Sequence, residues 1–203
     1  MRLGLFGGTF DPPHLGHLIL AAEALYQLNL DRILWILTPF PPHKKSQKIS
    51  PLSVRLELLA PVIDSDPGFL LSTVDIERDP PHYAVDTMGY LRKIYPEDTL
   101  VYLLGADSLQ DLPAWYHPRQ FLNACDGLGV MRRPGDAVDL APLEKVLPGI
   151  GEKVQMVEAP LLEISSRQIR EAVREGRPFR YYLPAEVYRL IIEKKYYQDR
   201  VND

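Results

Sequence analysis

Two kinds of hydrophobic spacing alternate along the chain. Leu3 to Phe6 and Ile33 to Leu37 are continuous apolar runs, and between them Leu18, Ala21, Ala22, Leu25 and Leu28 recur at intervals of three and four. Continuous runs of this length suit strands of a parallel sheet covered on both faces, whereas the wider spacing draws one apolar stripe along a helix. The opening therefore predicts a strand, a Gly-Gly loop, a helix over about 17–28 and a second strand. The alternation continues with a helix near 52–63, a strand near 70–76, a helix near 84–95 and a strand near 100–105. Two short apolar strands follow, Gly127 to Met131 and Val154 to Val157, with a helix near 139–147 between them. Ser165 and Gln168 have the spacing of a capping box, so a helix opens there and stops at Gly176 before Pro178. A last helix begins near Pro184 and carries Val187, Leu190 and Ile191 on its apolar face. Strand-helix alternation with right-handed crossovers implies a doubly wound α/β parallel sheet. Residues 1–203 are expected to form one domain, with 165–203 as its C-terminal helical portion.

Composition changes this picture little but excludes several classes. With 203 residues, 46% hydrophobic and 25% charged, the chain has an ordinary globular balance and needs no disulfide or metal to hold a core. The single cysteine, Cys125, rules out an intrachain disulfide framework and fits a reducing compartment. In its setting of Leu122, Asn123 and Ala124 it reads as a small buried hydrophobe. Neither a signal-peptide core nor an apolar stretch of ~18 residues is visible, so a cytoplasmic protein without a membrane partner is expected. A net charge of −4 disfavours a nucleic-acid partner and leaves a small polyanion as the expected ligand. Homo-oligomerisation is left open.

The chemistry is concentrated in the first strand-helix loop, Gly7-Gly8-Thr9-Phe10-Asp11-Pro12-Pro13-His14-Leu15-Gly16-His17. A loop that leaves the carboxyl end of a strand and enters a helix is where α/β sheets bind anions: glycine lets backbone N–H groups approach, and the helix start is electropositive. The segment matches neither the dinucleotide G-x-G-x-x-G nor the phosphate loop G-x-x-x-x-G-K-[ST], so hydride transfer and P-loop hydrolysis lose ground. His14 and His17 stand in place of the lysine and can donate to a phosphoryl group; the alternative is a pair of capping or packing histidines. Zinc is the poorer reading, since no thiolate or glutamate supports H-x-x-H.

Gly7 to His17 resembles the G-G-T-F-D-P-x-H-x-G-H motif of nucleotidyltransferases with an H-x-G-H pair. Further segments narrow the resemblance to the bacterial nicotinate-nucleotide adenylyltransferases. They are Pro41-Pro42-His43-Lys44, Leu104-Gly105-Ala106-Asp107-Ser108-Leu109 with Trp115-Tyr116, Arg132-Arg133-Pro134-Gly135, and Ile164 to Arg170. The resemblance implies a Rossmann-like fold and the reaction of MgATP with nicotinate mononucleotide to give nicotinate adenine dinucleotide and pyrophosphate, in NAD biosynthesis. It implies ATP contacts at Gly7, Gly8, Thr9, Phe10, His14, His17, Lys44, Gly105, Arg133, Ile164, Ser165, Ser166 and Arg170, with His14, His17, Lys44 and Arg170 carrying catalysis. Nicotinate mononucleotide would meet His43, Lys44, Ala84, Val85, Thr87, Asp107, Trp115 and Tyr116.

Each role has a plainer counterpart: Lys44 as a solvated loop charge, Arg170 as a surface arginine, Asp107 as a helix N-cap with Ser108 at N1, Trp115 as a core aromatic. Mg²⁺ is expected to arrive on the phosphates of ATP, with no protein ligand named. Two positions depart from the family pattern: Ala84 and Arg167 stand where threonine is common, so backbone donors rather than hydroxyls are expected there. The rival readings are a transferase for another phosphate monoester, such as phosphopantetheine, and a non-catalytic nucleotide sensor.

Overall fold

A computed structural model describes residues 1–41, 49–132, 138–160 and 162–198. Six parallel strands form the centre: β1 (Arg2–Gly8), β2 (Arg32–Leu37), β3 (Phe69–Ser72), β4 (Thr99–Gly105), β5 (Gly127–Arg132) and β6 (Val154–Glu158). Their spatial order is β3-β2-β1-β4-β5-β6. The chain steps outward from β1 through helices α1 (Leu15–Gln27) and α2 (Leu52–Ile63), then returns through α3 (Ala84–Ile94) to the other flank of β1 and steps outward again. Between β4 and β6 lie α4 (Ala106–Gln110), α5 (Pro118–Ala124), α6 (Ala141–Val146) and α7 (Ile150–Lys153); α8 (Ser166–Arg174) and α9 (Ala185–Glu193) follow β6.

Side chains alternate across each strand, so the sheet feeds two cores. Phe6, Ile33, Trp35 and Leu37 point to one face, where Ala21 and Ala24 of α1, Leu58 and Val62 of α2, Ile169 of α8 and Val187 of α9 cover them. Leu3, Leu5, Leu34 and Ile36 point to the other, under Met88 and Leu91 of α3 and Phe121 of α5. Parallel register places Leu5 opposite Leu34 on one side and Tyr102 on the other, which makes β1 an interior strand with both edges paired.

The doubly wound sheet and the C-terminal helices match the expectation, and some details differ. The strand expected over 70–76 ends at Ser72, because the Thr73 carbonyl then accepts from Ile76 and Glu77 in a turn that carries Asp75 into a buried polar cluster. The short helices α5 and α7 show no signal along the chain, since pieces of four to seven residues carry too few turns to show a period, and α4 is signalled only through Asp107 as a helix cap. Gly105, not Asp107, is the N-cap of α4. The capping box opening α8 is present: Gln168 N–H donates to Ser165 Oγ at 3.3 Å, and Ser165 N–H donates to Gln168 Oε1 at 2.9 Å. No helix among the described residues is long and apolar enough to cross a membrane.

Trp35 links the sheet to this first core. It is 0% exposed and its ring meets Phe6 at 4.9 Å, Phe10 at 5.0 Å and Phe69 at 5.2 Å, while its indole Nε1 finds no acceptor among the described residues. Trp35→Ala is expected to lower unfolding stability by about 4 kcal/mol through lost packing. Trp35→Phe loses less volume and also removes a buried unpaired donor, so its cost should stay below about 1.5 kcal/mol. Urea unfolding of the three proteins measures both.

Candidate active site

The direction of winding reverses beside β1. Loops leaving the carboxyl ends of β1 and β4 therefore turn to opposite faces and open a crevice between them, where open α/β sheets place their ligands. His14 and His17 from the β1–α1 loop, Gly105 and Asp107 after β4, Met131 at the end of β5 and Ile164 before α8 line one cleft there.

His14 is the N-cap of α1, with extended backbone, and His17 follows one turn inward. Their rings lie 3.7 Å apart between centroids and are tilted by 31°. A Cβ on Gly16 would stand 3.0 Å from His14 Nδ1, so a larger residue between the pair would press on that imidazole. His17 Nδ1 accepts the His14 backbone N–H at 3.2 Å, so in the neutral ring the proton sits on Nε2. The His14 side chain is 7% exposed, its Nδ1 has no hydrogen-bond partner among the described residues, and burial pushes its pKa down to about 4. Two imidazoles at a helix start bring ring N–H donors and helix N–H groups together at the mouth of the cleft, an arrangement that can meet an anion.

The loop that carries them is clamped from below. Phe10 holds a left-handed backbone, φ 45, with its ring buried against Phe6 and His17. A Cβ on Gly8 would meet that ring at 2.8 Å. Arg55 of α2 is 2% exposed and donates to the carbonyls of Thr38, Pro39 and Ser50 at 2.9–3.0 Å and of Thr9 at 3.3 Å. Burial lowers its pKa, and the Asp11 charge opposes that shift. From α8, Ser166 Oγ donates to the Pro12 carbonyl at 2.8 Å and Arg170 to the Asp11 carbonyl at 2.7 Å. The hydroxyl protons of Ser165 and Ser166 are thus committed inside the protein, Ser165 Oγ donating to Gln168 Oε1. With the Gln168 N–H taken by Ser165 Oγ, what the start of α8 can offer an anion is the backbone N–H of Ser166 and Arg167.

Residues expected around a pyridine nucleotide gather at the start of α3. Tyr83, its N-cap, stacks on Tyr116 at 4.2 Å and 23°, and Ala84 and Val85 form the first turn. Tyr116 is 50% exposed, while Trp115 leans on Phe121 at 5.2 Å and Tyr102 at 6.3 Å, so one side of the indole belongs to the core. The Tyr102 hydroxyl lies 3.0 Å from where a Cβ on Gly7 would stand, which ties this aromatic group to the first loop. Thr87 does not present its hydroxyl to a ligand: the buried Oγ1 donates to Asp75 Oδ1 at 2.7 Å and receives Arg78 at 2.9 Å. Asp107, on the first turn of α4, lines the same cleft as His14 and His17.

A model of the cytidylyltransferase-like family matches residues 5–172. A probable nicotinate-nucleotide adenylyltransferase of Thermomicrobium roseum is 41% identical over 97% of this chain and 92% of its own length. The nicotinate-nucleotide adenylyltransferase of Bacillus subtilis is 38% identical over 97% and 98%. The chain belongs to the nicotinate-nucleotide adenylyltransferase family. A solved structure described as Plasmodium falciparum nicotinic acid mononucleotide adenylyltransferase complexed with NaAD shares the fold, at 18% identity, TM-score 0.77 and 97% coverage of both chains.

Within this family framework the sequence reading passed over three residues that shape the site. Arg55 had a signal: it sits on the apolar face of α2 in register with Leu58, Leu59 and Val62, where a guanidinium needs a structural reason. Asp11 stands in the Gly7–His17 motif but without a role, and Tyr197 had no signal, because their partnership joins residues at opposite ends of the chain. His43, Lys44 and Arg133 lie outside the described residues. Among the described residues no group of three His, Cys, Asp or Glu side chains gathers to hold a metal.

The depressed pKa of His14 has a measurable consequence. An unfolded chain takes up a proton near the ordinary value of 6.5 that the folded protein refuses until about pH 4. Stability should therefore fall as pH drops through that window, by at most ~1.4 kcal/mol per pH unit from this group, and level off below it. Urea unfolding of the ligand-free protein from pH 7 to pH 4 is expected to show a shallower loss for His14→Asn than for the parent.

Proposed function

We propose that this chain transfers the adenylyl group of MgATP to nicotinate mononucleotide, releasing pyrophosphate and nicotinate adenine dinucleotide for NAD biosynthesis. The observation that carries the reading is the close His14–His17 pair at the start of α1, which lines the cleft at the β1/β4 reversal. A phosphate oxygen of the mononucleotide attacks the α-phosphorus, the bond to the β-phosphate oxygen breaks, and pyrophosphate leaves. Such a step needs alignment and positive potential more than a nucleophilic side chain, so transfer is direct, without an adenylyl-enzyme.

His17 and His14 face the α- and β-phosphates, the first-turn N–H groups of α8 and Arg170 face the outer phosphates, and Lys44 joins them there. Gly7, Gly8, Thr9 and Phe10 supply the backbone cradle. Gly105, Ile164 and Arg133 border the nucleoside, and Mg²⁺ enters on the phosphates with its own water. Nicotinate mononucleotide lies toward Trp115 and Tyr116, its carboxylate at the α3 start near Ala84 and Val85, with Asp107 for a ribose hydroxyl and His43 and Lys44 for its phosphate. The chain 1–203 acts as one domain in the cytoplasm, with small nucleotides rather than nucleic acid or membrane as partners. A pyrophosphate-release assay over a panel of mononucleotides and phosphopantetheine separates this reading from another phosphate-monoester transferase, and absence of turnover with all of them would leave a nucleotide sensor.

His17→Ala is expected to lower kcat roughly 10²–10⁴-fold while ATP affinity falls much less, because the imidazole acts where charge develops in the transition state. Steady-state kinetics with a separate ATP titration tests this, and an unchanged kcat removes the assignment. In kcat/KM at saturating MgATP, nicotinate mononucleotide should be preferred to its amide by about ten- to hundredfold. Backbone donors at the α3 start match both carboxylate oxygens, whereas the amide NH₂ leaves a donor unpaired. Trp115→Ala should weaken both substrates and keep much of that preference.

A further inference from the structure

Tyr197, near the end of the described chain, reaches back to the loop that carries the histidines. Its hydroxyl donates to Asp11 Oδ1 at 2.9 Å. The tail arrives there through left-handed residues at Lys195 and Tyr197, and it is docked a second time where the Tyr196 hydroxyl donates to Glu57 on α2. Asp11 is 2% exposed, and its Oδ2 accepts the Ser50 N–H at 3.1 Å.

That same Oδ2 lies 3.9 Å from Arg170 Nη1, which instead donates to the Asp11 main-chain carbonyl at 2.7 Å. A carboxylate and a guanidinium thus stand side by side without closing into a bidentate pair, and the Arg170 side chain stays 25% exposed. Tyr197 donates to Oδ1 and the Ser50 N–H to Oδ2, and these two bonds satisfy part of the carboxylate's acceptor capacity and spread its charge, which weakens its pull on Arg170. Burial first, and the Asp11 charge second, raise the Tyr197 pKa, so the phenol remains a donor.

We propose that Tyr197 is a positioning residue for ATP: by engaging the Asp11 carboxylate it keeps Arg170 from folding onto that carboxylate and holds the guanidinium toward the triphosphate. The proposal rests on the assignment of Arg170 to the ATP phosphates. It makes Tyr197, which is not itself placed at the reacting atoms, a determinant of nucleotide binding.

Tyr197→Phe keeps the ring and removes only the donor. The expected result is a rise of about tenfold in KM for MgATP with KM for nicotinate mononucleotide unchanged within twofold. The rise should vanish when Tyr197→Phe is made in an Asp11→Asn background, where no carboxylate charge is left to attract Arg170. Equal rises for both substrates, or an undiminished rise in the Asp11→Asn background, would mean that Tyr197 merely supports the fold and would overturn the proposal. Arg170→Ala in the same assay separates the two levels. If it raises KM for MgATP and Tyr197→Phe does not, this proposal alone fails; if it leaves KM for MgATP unchanged, the assignment of Arg170 fails and the proposal with it. Calorimetric titration of MgATP at 10 °C gives the same comparison should Tyr197→Phe unfold at assay temperature.

Discussion

The site exists because β1 is paired on both edges with strands reached by winding in opposite directions. Parallel pairing to β2 and β4 buries β1 from Leu3 to Phe6, and right-handed crossovers then send α1 and α2 to one face and α3 to the other. Loops that leave β1 and β4 must diverge, and the crevice between them is a by-product of closing two hydrophobic cores. Leu3, Leu5 and Phe6 create the opening indirectly, by making burial on both faces the only favourable arrangement for their strand.

The β1–α1 loop exposes backbone and imidazole at the cleft, so it cannot be held by apolar packing alone. Polar side chains drawn from distant elements hold it as well. Arg55 satisfies carbonyls from three separate turns, Ser166 and Arg170 take two more, and Asp11 collects a backbone N–H and a phenol. Buried polar groups are costly when left unpaired, so such a network has few alternative arrangements, and that restriction is what holds the histidines in place. The left-handed Phe10, kept by ring packing against Phe6 and His17, shows the same principle in apolar form.

The two sides of the crevice use different chemistry. Around the histidines the offering is imidazole N–H, helix-start N–H and guanidinium, which suits an extended anion. At the start of α3 it is aromatic surface and backbone N–H, since the Thr87 hydroxyl is already engaged by Asp75 and Arg78 and residue 84 is alanine. Main-chain donors at a helix start do not depend on the side chain that opens it, so alanine at residue 84 leaves them in place.

Much of this was legible along the chain because it is local. Hydrophobic periods located all six strands and the longer helices, the Ser165–Gln168 spacing identified the start of α8, and the His14–Gly16–His17 loop declared itself by residue type and by its place after the first strand. Only tertiary structure decided which side chains remain available for chemistry. Thr87, Ser165 and Ser166 have the right groups at the right places, but packing commits their hydroxyl protons to the protein. Asp11 and Tyr197 lie 186 residues apart and share no pattern, yet they meet because α9 folds back over α2 and delivers the tail to the first loop. Periodicity records how a segment meets its own neighbours; it carries no information about which distant donor satisfies a buried carboxylate, and that pairing is settled only when the elements close on one another.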